Sequence, residues 1–321
     1  MGVIMKGLGS GVPERVVTNL ELESWGDTTD AWIKERTGIA QRRIVTNETG
    51  LSLSVDAAQK AIEDAGITPA EIDLIIVATV APDMIVPSTS CLLRKELGAE
   101  NAVAFDVNAA CSGFLYGSWI AKNLLETNDF QYALVVGVEV LSKFTDWDDR
   151  GTFVLFGDGA GAAILQKSDH NGILACHIKN YTDETNALYC HGMEIENPFN
   201  EKKGLKQKMF MDGKQVFRFA TSAILENINA VLEKAGKTIE DVTWFVPHQA
   251  NKRIIDYAAS KLNVPIDKFF CNIDLYGNTS SASVPIALTQ LKEEKGLKKG
   301  DIILLVAFGG GLTAASILIE W

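Results

Sequence analysis

The sequence predicts an α/β fold built from two related halves. Short continuous apolar segments, typical of strands covered on both faces, alternate with helical patterns along the chain. Residues 74–79, 133–137 and 302–307 are such segments. Three stretches of the first half also recur in the second, which indicates an internal duplication. We therefore expect two stacked sheets that enclose helices, one from residues 1–170 and one from residues 171–321.

The duplication rests on three pairs of segments. Residues 63–78 resemble residues 233–248, and in each segment a helix ends at Ala-Gly before a strand begins. Residues 106–112 resemble 274–280, and residues 156–160 resemble 308–312, each of the latter two preceding an apolar strand. The offsets are 170, 168 and 152 residues. Equivalent strand ends of the two halves should therefore converge.

One segment interrupts this alternation. Residues 180–208 are polar, have little periodicity, and contain Pro198 and Gly204. We interpret them as an excursion from the second half rather than as a linker between domains.

Composition excludes several classes of protein. With 321 residues, 47% of them hydrophobic, the chain can bury a large core. The net charge of −11 argues against general binding to nucleic acid or to an anionic membrane. An acidic protein partner would need a local basic patch. No apolar run reaches the roughly 18 residues of a membrane helix, and residues 1–6 lack a secretory signal, so we expect a cytoplasmic protein.

The cysteines favour a reducing compartment. There are five, Cys91, Cys111, Cys176, Cys190 and Cys271, and none forms a CxxC pair. An odd set without paired spacing argues against both a disulfide framework and a zinc site. We predict free thiols and no metal.

Cys111 lies at a predicted strand-to-helix turn. Residues 102–107 form an apolar strand pattern, and a helical pattern begins at Ser112. A cysteine at a helix N-terminus is near unpaired N–H groups that favour the thiolate over the thiol. By itself, Cys111 could equally be a small buried hydrophobe, as most free cysteines are.

Two further residues support a functional role for Cys111. His248 follows a buried apolar strand of the second half, and Asn278 lies in a Gly-Asn-Thr-Ser-Ser turn that matches the Cys111 turn. The duplication would bring all three side chains to one crevice. The glycine run 309–311 could let a backbone N–H group approach a developing oxyanion.

A thiol, an imidazole and a carboxamide suit two kinds of reaction. In a cysteine hydrolase, the amide orients the imidazole, which activates the thiol against a carbonyl group. In a decarboxylative condensation, the thiol carries an acyl group while the imidazole and the amide donate hydrogen bonds to an enolate. These residues alone leave both reactions open.

Longer motifs narrow the choice. They are residues 106–114 (DVNAACSGF), 247–254 (PHQANKRI) and 276–285 (YGNTSSASVP), with 31–39 (AWIKERTGI), 150–152 (RGT) and 156–162 (FGDGAGA). In these motifs, and from end to end, the chain resembles the β-ketoacyl-[acyl-carrier-protein] synthase III family. The resemblance implies the thiolase fold, a five-layer α-β-α-β-α sandwich of two duplicated halves.

The resemblance also implies a reaction. An acyl group passes from coenzyme A to Cys111, and malonyl-acyl carrier protein then loses carbon dioxide and attacks that thioester. The products are 3-oxoacyl-acyl carrier protein, coenzyme A and CO2, and the reaction initiates fatty acid synthesis. His248 and Asn278 match the residues that assist decarboxylation, and the N–H groups of Cys111 and Gly310 match the oxyanion hole.

Binding residues follow from the same resemblance. Trp32, Arg36 and Arg150 match residues that hold the adenine and phosphates of coenzyme A, and stacking and charge pairing suit those groups. Gly213, Phe217 and Asn251 match the pantetheine channel. Arg218, Lys252, Arg253 and Lys261 could form the basic patch for an acidic carrier protein.

Two positions depart from family members that use acetyl primers. Those members often carry an aromatic residue where this chain has Val86, and a tryptophan where it has Ala314. We expect both residues in or beside the primer pocket, which would then accept branched or longer primers.

Other functions stay open. A condensing enzyme or acyltransferase of specialised metabolism would keep Cys111 and His248 but use a different acceptor. A cysteine hydrolase and a non-catalytic acyl-binding protein are further alternatives. The family implies a homodimer, with residues 79–89 and the apolar segment before Cys111 as shared surface, and no cofactor beyond the coenzyme A thioester substrate.

Overall fold

A computed structural model describes residues 2–195, 197–199 and 203–321. The strands are β1 Gly2–Gly11, β2 Val16–Thr18, β3 Gln41–Arg43, β4 Leu74–Ala78, β5 Val103–Val107, β6 Tyr132–Val140, β7 Asp158–Ser168, β8 Ile173–Asn180, β9 Leu188–Cys190, β10 Met209–Met211, β11 Trp244–Pro247, β12 Ile302–Gly309 and β13 Thr313–Glu320. The helices are α1 Asn19–Leu22, α2 Asp30–Thr37, α3 Gly50–Ala65, α4 Thr89–Leu97, α5 Gly113–Thr127, α6 Arg150–Phe153, α7 Gly213–Ala235, α8 Lys252–Leu262, α9 Ile273–Tyr276 and α10 Ser283–Lys295.

Two mixed sheets form the frame of the molecule. The first has the order β1-β7-β6-β4-β5, with β4 parallel to β5 and β6 and the other pairs antiparallel. The second has the order β11-β12-β13-β8, with β11 parallel to β12 and the other pairs antiparallel. An isolated parallel bridge between Phe245 and Phe269 stands where the first sheet has its fifth strand. The two sheets therefore repeat one topology.

The layers are those of the predicted five-layer sandwich, which is confirmed. Helices α5 and α10 lie between the sheets, and a single core cluster joins their apolar residues to the facing sides of both sheets. Helices α3 and α4 cover the outer face of the first sheet, and α7 and α8 cover that of the second. The apolar strands have no face left for solvent, which explains why they lack a polar alternation.

The structure corrects the internal alignment of the halves. The pair Val77 with Val136 in the first sheet corresponds to the pair Pro247 with Val306 in the second, so the offset is 170 residues. The cysteine turn at 110–112 corresponds to the turn at 280–282 at the same offset, not at 168. Phe308 lies at the end of β12, whereas Phe156 precedes β7, so these two residues are not equivalent.

The false match between residues 156–160 and 308–312 arises because the two halves connect equivalent strands by loops of different length. Strands β12 and β13 are joined by the three residues 310–312, whereas residues 141–157 lie between β6 and β7 and include α6. The insertion changes the offset from 170 residues before it to 154 after it, as the pairs Val136 with Ala162 and Val306 with Ser316 demonstrate. Phe156-Gly157 lies at the end of the longer connection, and Phe308-Gly309 lies before the shorter one. Their similar sequences therefore do not occupy equivalent positions.

The predicted boundary at residue 170 falls between the end of β7 at Ser168 and the start of β8 at Ile173. As a division of the chain into two halves it stays a prediction. The central core cluster belongs to both sheets, so the two halves share one interior.

The predicted excursion at 180–208 begins where β8 ends, at Asn180. It contains β9, which pairs with β10 just beyond it to form a two-stranded hairpin. Glu196, Asn200, Glu201 and Lys202 of this segment lie outside the described residues.

The described residues contain neither a membrane-spanning helix nor a metal-binding cluster. No helix there is long and apolar enough to cross a membrane. Nor does that part of the chain contain a group of three or more His, Cys, Asp and Glu side chains that could hold a metal ion.

Candidate active site

A cavity of about 780 Å³ opens where parallel strands of both sheets end. Its lining includes Val80 after β4, Asn108 after β5, His248 after β11 and Gly309 at the end of β12. Carboxyl ends of strands are the usual place for a ligand in such sheets. Among the described residues, no Asp, Glu, Lys or Arg side chain lines this cavity, and its lining includes two histidines, His191 and His248. Its chemistry therefore depends on groups that carry no fixed charge.

Cys111 lies in a 3-10 turn, Ala110–Ser112, which leads into α5. The backbone of Ala110 has a φ of 46°, and the Asn108 side chain accepts a hydrogen bond of 3.2 Å from the Ala110 N–H group. This left-handed residue is uncommon for a side chain other than glycine and turns the chain sharply. The turn presents Cys111 to the cavity, as the sequence predicts.

The surroundings of Cys111 do not favour the predicted thiolate. Burial raises the pKa of the Cys111 thiol to about 12, and the nearby Glu139 carboxylate adds to the rise, while a hydrogen bond with the Ser280 side chain opposes it. Loss of water at this position outweighs the helix N-terminus. Cys111 is therefore a thiol that needs a proton acceptor before it can act as a nucleophile.

Asn278 occupies the equivalent turn of the second half. Ser280 has a φ of 50°, and the Asn278 Oδ1 atom accepts a hydrogen bond of 2.9 Å from the Ser280 N–H group. The turn thus repeats the geometry of Asn108 and Ala110, 170 residues later. Because Oδ1 is occupied by this bond, the amide NH2 group is left to face the cavity that Asn278 lines.

His248 is 2% exposed, and burial lowers its pKa to about 3. Its Nδ1 atom lies 2.6 Å from Ser283 Oγ, which also accepts a hydrogen bond of 3.3 Å from the Gln249 N–H group. With Gln249 donating to Ser283, we assign the Ser283 hydroxyl proton to the bond with Nδ1. The neutral ring then carries its hydrogen on Nε2 and can donate it in the cavity.

Cys111, His248 and Asn278 therefore line one cavity, but they do not form the triad of a cysteine hydrolase. In such a triad the amide orients the imidazole. Here Ser283 holds His248, and Asn278 is held by the Ser280 backbone instead. The arrangement provides one thiol and two neutral hydrogen-bond donors, which can stabilise an anionic oxygen.

The glycine run closes the cavity beside Cys111. A Cβ atom at Gly309 would lie 2.7 Å from the Cys111 backbone nitrogen, so only glycine allows this approach. A Cβ atom at Gly310 would have its nearest neighbour at 3.5 Å, in Leu188. Gly310, predicted for the oxyanion hole, lines the same cavity. The ring of Phe308 packs edge-on against His248, with centroids 5.3 Å apart.

The residues predicted for coenzyme A divide into two groups. Gly213, Phe217 and Asn251 line the cavity. Trp32, Arg36 and Arg150 lie outside its lining. The Arg150 guanidinium lies 4.6 Å from the centroid of the Trp32 ring. The Asn251 amide donates a hydrogen bond of 3.1 Å to the Arg36 carbonyl group, which joins the two groups at one edge of the cavity.

The predicted carrier-protein residues are exposed on α7 and α8. The Arg253 guanidinium lies 5.7 Å from the centroid of the cavity-lining Phe217, and Arg218 is the next residue on α7. Lys252 begins α8 and pairs with Asp256, whereas Lys261 lies in the last turn of that helix, near Tyr257. Sequence reasoning missed Lys214, an exposed cation beside Gly213.

Two predicted pocket residues lie elsewhere. Ala314 is fully buried in the core between the second sheet and α7, because side chains alternate along β13 and Thr313 takes the cavity side. Val86 is 83% exposed on the surface loop before α4, and the neighbouring Ile85 lines the cavity instead. Neither residue enlarges the cavity of this chain, so they do not support the predicted preference for larger primers.

Several residues of the site were not predicted. The hairpin of β9 and β10 supplies part of one wall, and nothing in its polar sequence indicated this. Its contributions are Leu188, Tyr189, Cys190, His191, Gly192, Met193, Gln207, Met209 and Met211. Ser280 and Ser283 lie in the YGNTSSASVP motif, and their Gly-Asn-Thr-Ser context was the one signal available. Glu139, which contacts Ser280, had none.

Comparison with known proteins gives consistent matches. The family model described as 3-oxoacyl-[acyl-carrier-protein (ACP)] synthase III matches residues 105–182, and the one described as its C terminal matches residues 232–321. The β-ketoacyl-[acyl-carrier-protein] synthase III of Clostridium acetobutylicum is 48% identical over 316 residues, covering 98% of this chain and 97% of the relative.

Solved structures agree in fold along the whole chain. The crystal structure of 3-oxoacyl-[acyl-carrier-protein] synthase III from Aquifex aeolicus has a TM-score of 0.93 and 42% identity, covering 100% of both chains. The priming β-ketosynthase of the R1128 polyketide biosynthetic pathway also has a TM-score of 0.93, with 38% identity, covering 99% of this chain and 96% of that one.

Proposed function

Because the chain belongs to the 3-oxoacyl-[acyl-carrier-protein] synthase III family, we propose that it joins an acyl group from coenzyme A to malonyl-acyl carrier protein. The reaction is a decarboxylative condensation that releases coenzyme A and CO2 and gives 3-oxoacyl-acyl carrier protein. It initiates fatty acid synthesis. One observation carries this assignment: a thiol and two neutral hydrogen-bond donors line a cavity that has no Asp, Glu, Lys or Arg side chain among the described residues.

In the first half-reaction, Cys111 attacks the acyl thioester and retains the acyl group. The negative oxygen that forms would accept hydrogen bonds from the backbone N–H groups of Cys111 and Gly310. The close approach of Gly309 to Cys111 supports this role, since it brings the glycine run within contact distance of the nucleophile.

In the second half-reaction, His248 and Asn278 donate hydrogen bonds to the thioester oxygen of the malonyl group. Nε2 of a neutral imidazole and the amide NH2 group stabilise the enolate that remains when CO2 leaves. Among the described residues, no Lys or Arg side chain lines the cavity to pair with the malonyl carboxylate, so loss of CO2 also relieves the cost of removing that charge from water.

The substrates would enter from the edge formed by α2, α6, α7 and α8. Trp32, Arg36 and Arg150 would hold the adenine and phosphates of coenzyme A, and Gly213, Phe217 and Asn251 would line the pantetheine channel. The acidic carrier protein would dock on Arg218, Lys252, Arg253 and Lys261, where exposed cations gather in a chain of net charge −11.

We also propose a homodimer in the cytoplasm. Strand β5 ends the first sheet, and its Val103 side chain is 53% exposed. Met84, Ile85 and Val86 are exposed on the loop before α4, within the segment predicted as shared surface. Exposed apolar side chains on and near an edge strand favour association with another copy.

The alternatives have less support. A hydrolase would need His248 as a base, but its buried ring is held by Ser283 and its pKa is lowered to about 3. The polyketide priming enzyme is similar to this chain, at 38% identity, but the clostridial relative reaches 48%. An acyl-binding protein without activity would not need a nucleophile presented to the cavity.

The proposal is tested in two steps. Incubation with acetyl-, isobutyryl- and octanoyl-coenzyme A should give a mass adduct on Cys111, and the Cys111→Ala variant should give none. Malonyl-acyl carrier protein should then discharge the adduct as a 3-oxoacyl product. A protein that forms no adduct, or whose adduct is released only as a free acid, would overturn the assignment.

A further inference from the structure

Glu139 is a carboxylic acid with no role in the reaction described so far. It lies in β6, is 0% exposed, and faces the interface between the halves. Its Oε1 atom lies 3.2 Å from Ser280 Oγ and 2.9 Å from Ser281 Oγ. Its Oε2 atom accepts a hydrogen bond of 3.1 Å from the Val80 N–H group, with Thr79 Oγ1 at 3.5 Å. No cation pairs with it among the described residues.

A buried carboxyl group without a paired cation lowers the stability of the folded chain. Burial raises the pKa of Glu139 to about 7, although the hydrogen bonds from Val80, Ser281 and Ser280 oppose the rise. Near neutral pH the side chain can therefore gain or lose a proton readily. A group with these properties is suited to accept a proton from a weak acid nearby.

The nearby acid is Cys111. Ser280 contacts the Cys111 thiol on one side and Glu139 on the other, and it lines the cavity. The turns that carry Cys111 and Ser280 pack against each other, and Ser280 Oγ lies 3.2 Å from Glu139 Oε1. A path from the cavity to the interior therefore runs from the thiol through the Ser280 hydroxyl group to the carboxylate.

The proposed acyl transfer needs such a path. Cys111 has to lose a proton as it attacks, and its pKa is raised to about 12. His248 is a poor acceptor because its Nδ1 atom is occupied by Ser283 and burial lowers its pKa to about 3. Asn278 has no basic atom. Among the described residues, Glu139 is the titratable side chain besides Cys111 that contacts Ser280, whereas Tyr189, Cys190 and His191 line the hairpin wall of the cavity.

We propose that Glu139, acting through the Ser280 hydroxyl group, accepts the thiol proton of Cys111 during acyl transfer from coenzyme A. This inference rests on the proposed function. It makes Glu139 a positioning and proton-holding residue, since it acts on the Cys111 sulfur atom through Ser280.

This proton transfer is coupled to the exchange of one thioester bond for another. The Cys111 sulfur forms a bond to the acyl carbon while its proton moves to Ser280 Oγ, and the original Ser280 proton moves to Glu139. The bond between the acyl carbon and the coenzyme A sulfur then breaks. The departing thiolate takes up one proton as Glu139 returns its own through Ser280, so coenzyme A leaves as a thiol and the carboxylate is restored.

Other titratable groups surround this path. His248 lines the same cavity as Cys111. Asp158 lies on the neighbouring strand β7, but its carboxylate accepts hydrogen bonds from Ser142 and from the Val45 N–H group. Lys143 pairs with Asp83. Neither Asp158 nor Lys143 contacts Glu139.

The test separates the two half-reactions in the full-length enzyme. Glu139→Gln and Ser280→Ala should each slow formation of acyl-Cys111 from acetyl-coenzyme A by about 100-fold, as expected for loss of a proton acceptor. Discharge of enzyme that has already been acylated, by malonyl-acyl carrier protein, should change by less than about 3-fold. Thr79→Val is the matched control, because it alters a neighbour of Glu139 that lies off the path, and it should slow acylation by less than about 5-fold.

A second readout does not depend on coenzyme A. Alkylation of Cys111 by iodoacetamide at pH 7.5, followed by peptide mass mapping, should be slower in Glu139→Gln if the carboxylate accepts the proton. If Glu139 acted only by its charge, which raises the pKa of Cys111, the same variant would alkylate faster. Faster or unchanged alkylation would overturn the proposal.

Equal slowing of both half-reactions would also overturn it, since that pattern indicates a purely structural role. If Glu139→Gln does not fold, Ser280→Ala provides the decisive measurement. Failure of the wild-type chain to form any acyl-Cys111 would instead refute the proposed function, so the two failures are distinguishable.

Discussion

His248 Nδ1 lies 2.6 Å from Ser283 Oγ, the first residue of α10. This contact determines which nitrogen of the imidazole faces the substrate. Ser283 also accepts from the Gln249 N–H group, and we assign its own proton to the bond with Nδ1, so that Nε2 keeps a hydrogen for donation. The side chain that prepares His248 for decarboxylation is therefore a serine at the start of a central helix.

Replacing Ser283 tests this relationship. Ser283→Ala should lower the rate of malonyl-acyl carrier protein decarboxylation by about 10-fold, the cost of one neutral hydrogen bond, while acylation of Cys111 stays near the wild-type rate. Ser283→Thr keeps the hydroxyl group and should recover most of the loss. Release of CO2 from acylated enzyme gives the first rate, and mass spectrometry gives the second. Slowing of acylation in Ser283→Ala would contradict the assigned role.

Gly309 should tolerate no side chain. A Cβ atom there would lie 2.7 Å from the Cys111 backbone nitrogen, so Gly309→Ala must displace the cysteine turn. We expect acyl-Cys111 formation to fall at least 10-fold and stability to fall by about 1–3 kcal/mol, as in other overpacked sites. The Cβ atom of Gly310→Ala would have its nearest neighbour at 3.5 Å, so this variant should lose less acylation rate and less stability. Acylation rates and thermal melting of the two variants, measured together, decide between these expectations.

Glu139 should make stability depend on pH. Its pKa is about 7 in the folded chain and near its ordinary value of 4.5 when unfolded, so the folded state binds more protons between these values. Stability contributed by this group is present at low pH and is lost as pH rises through 7, by about 3 kcal/mol. Between pH 5 and pH 8, the melting temperature of the wild-type chain should fall more than that of Glu139→Gln. Parallel curves for the two proteins would disprove a raised pKa.

The basic residues on α7 and α8 should affect the carrier protein and not the primer. Arg218→Glu should raise the KM for malonyl-acyl carrier protein by about 10-fold at low salt, while the KM for acetyl-coenzyme A changes little. The increase should shrink at high salt, because exposed charges are screened. Lys299→Glu makes the same change of charge before β12, at the strand end away from the cavity, and serves as the control. Equal effects of both substitutions would argue against docking at Arg218.

The catalytic side chains could be predicted because strand ends carry them. His248 directly follows β11, and Cys111 and Asn278 lie in turns that repeat at one offset, so a duplicated sequence was enough to bring them together. The fold followed from the same observations, since apolar strands without alternation require a layer on each side.

Other features depend on contacts that a linear pattern does not contain. Glu139 lies within an apolar strand, and its hydroxyl partners come from residues 280 and 281, on the other half of the chain. We predicted Ala314 in or beside the primer pocket, but successive side chains of β13 point to opposite faces, and Ala314 points into the core. The pKa of Cys111 depends on burial beneath both halves, which outweighs the local effect of a helix start.

The shared central core has a consequence for synthesis on the ribosome. Gly137 of the first sheet packs so closely against the Ser281 carbonyl group that a Cβ atom there would lie 2.4 Å from it. The inner face of the first sheet therefore cannot close until residues beyond α10 have emerged, by which time most of the chain is made. The nascent first half would expose apolar surface throughout that interval, which makes it a natural client for chaperones.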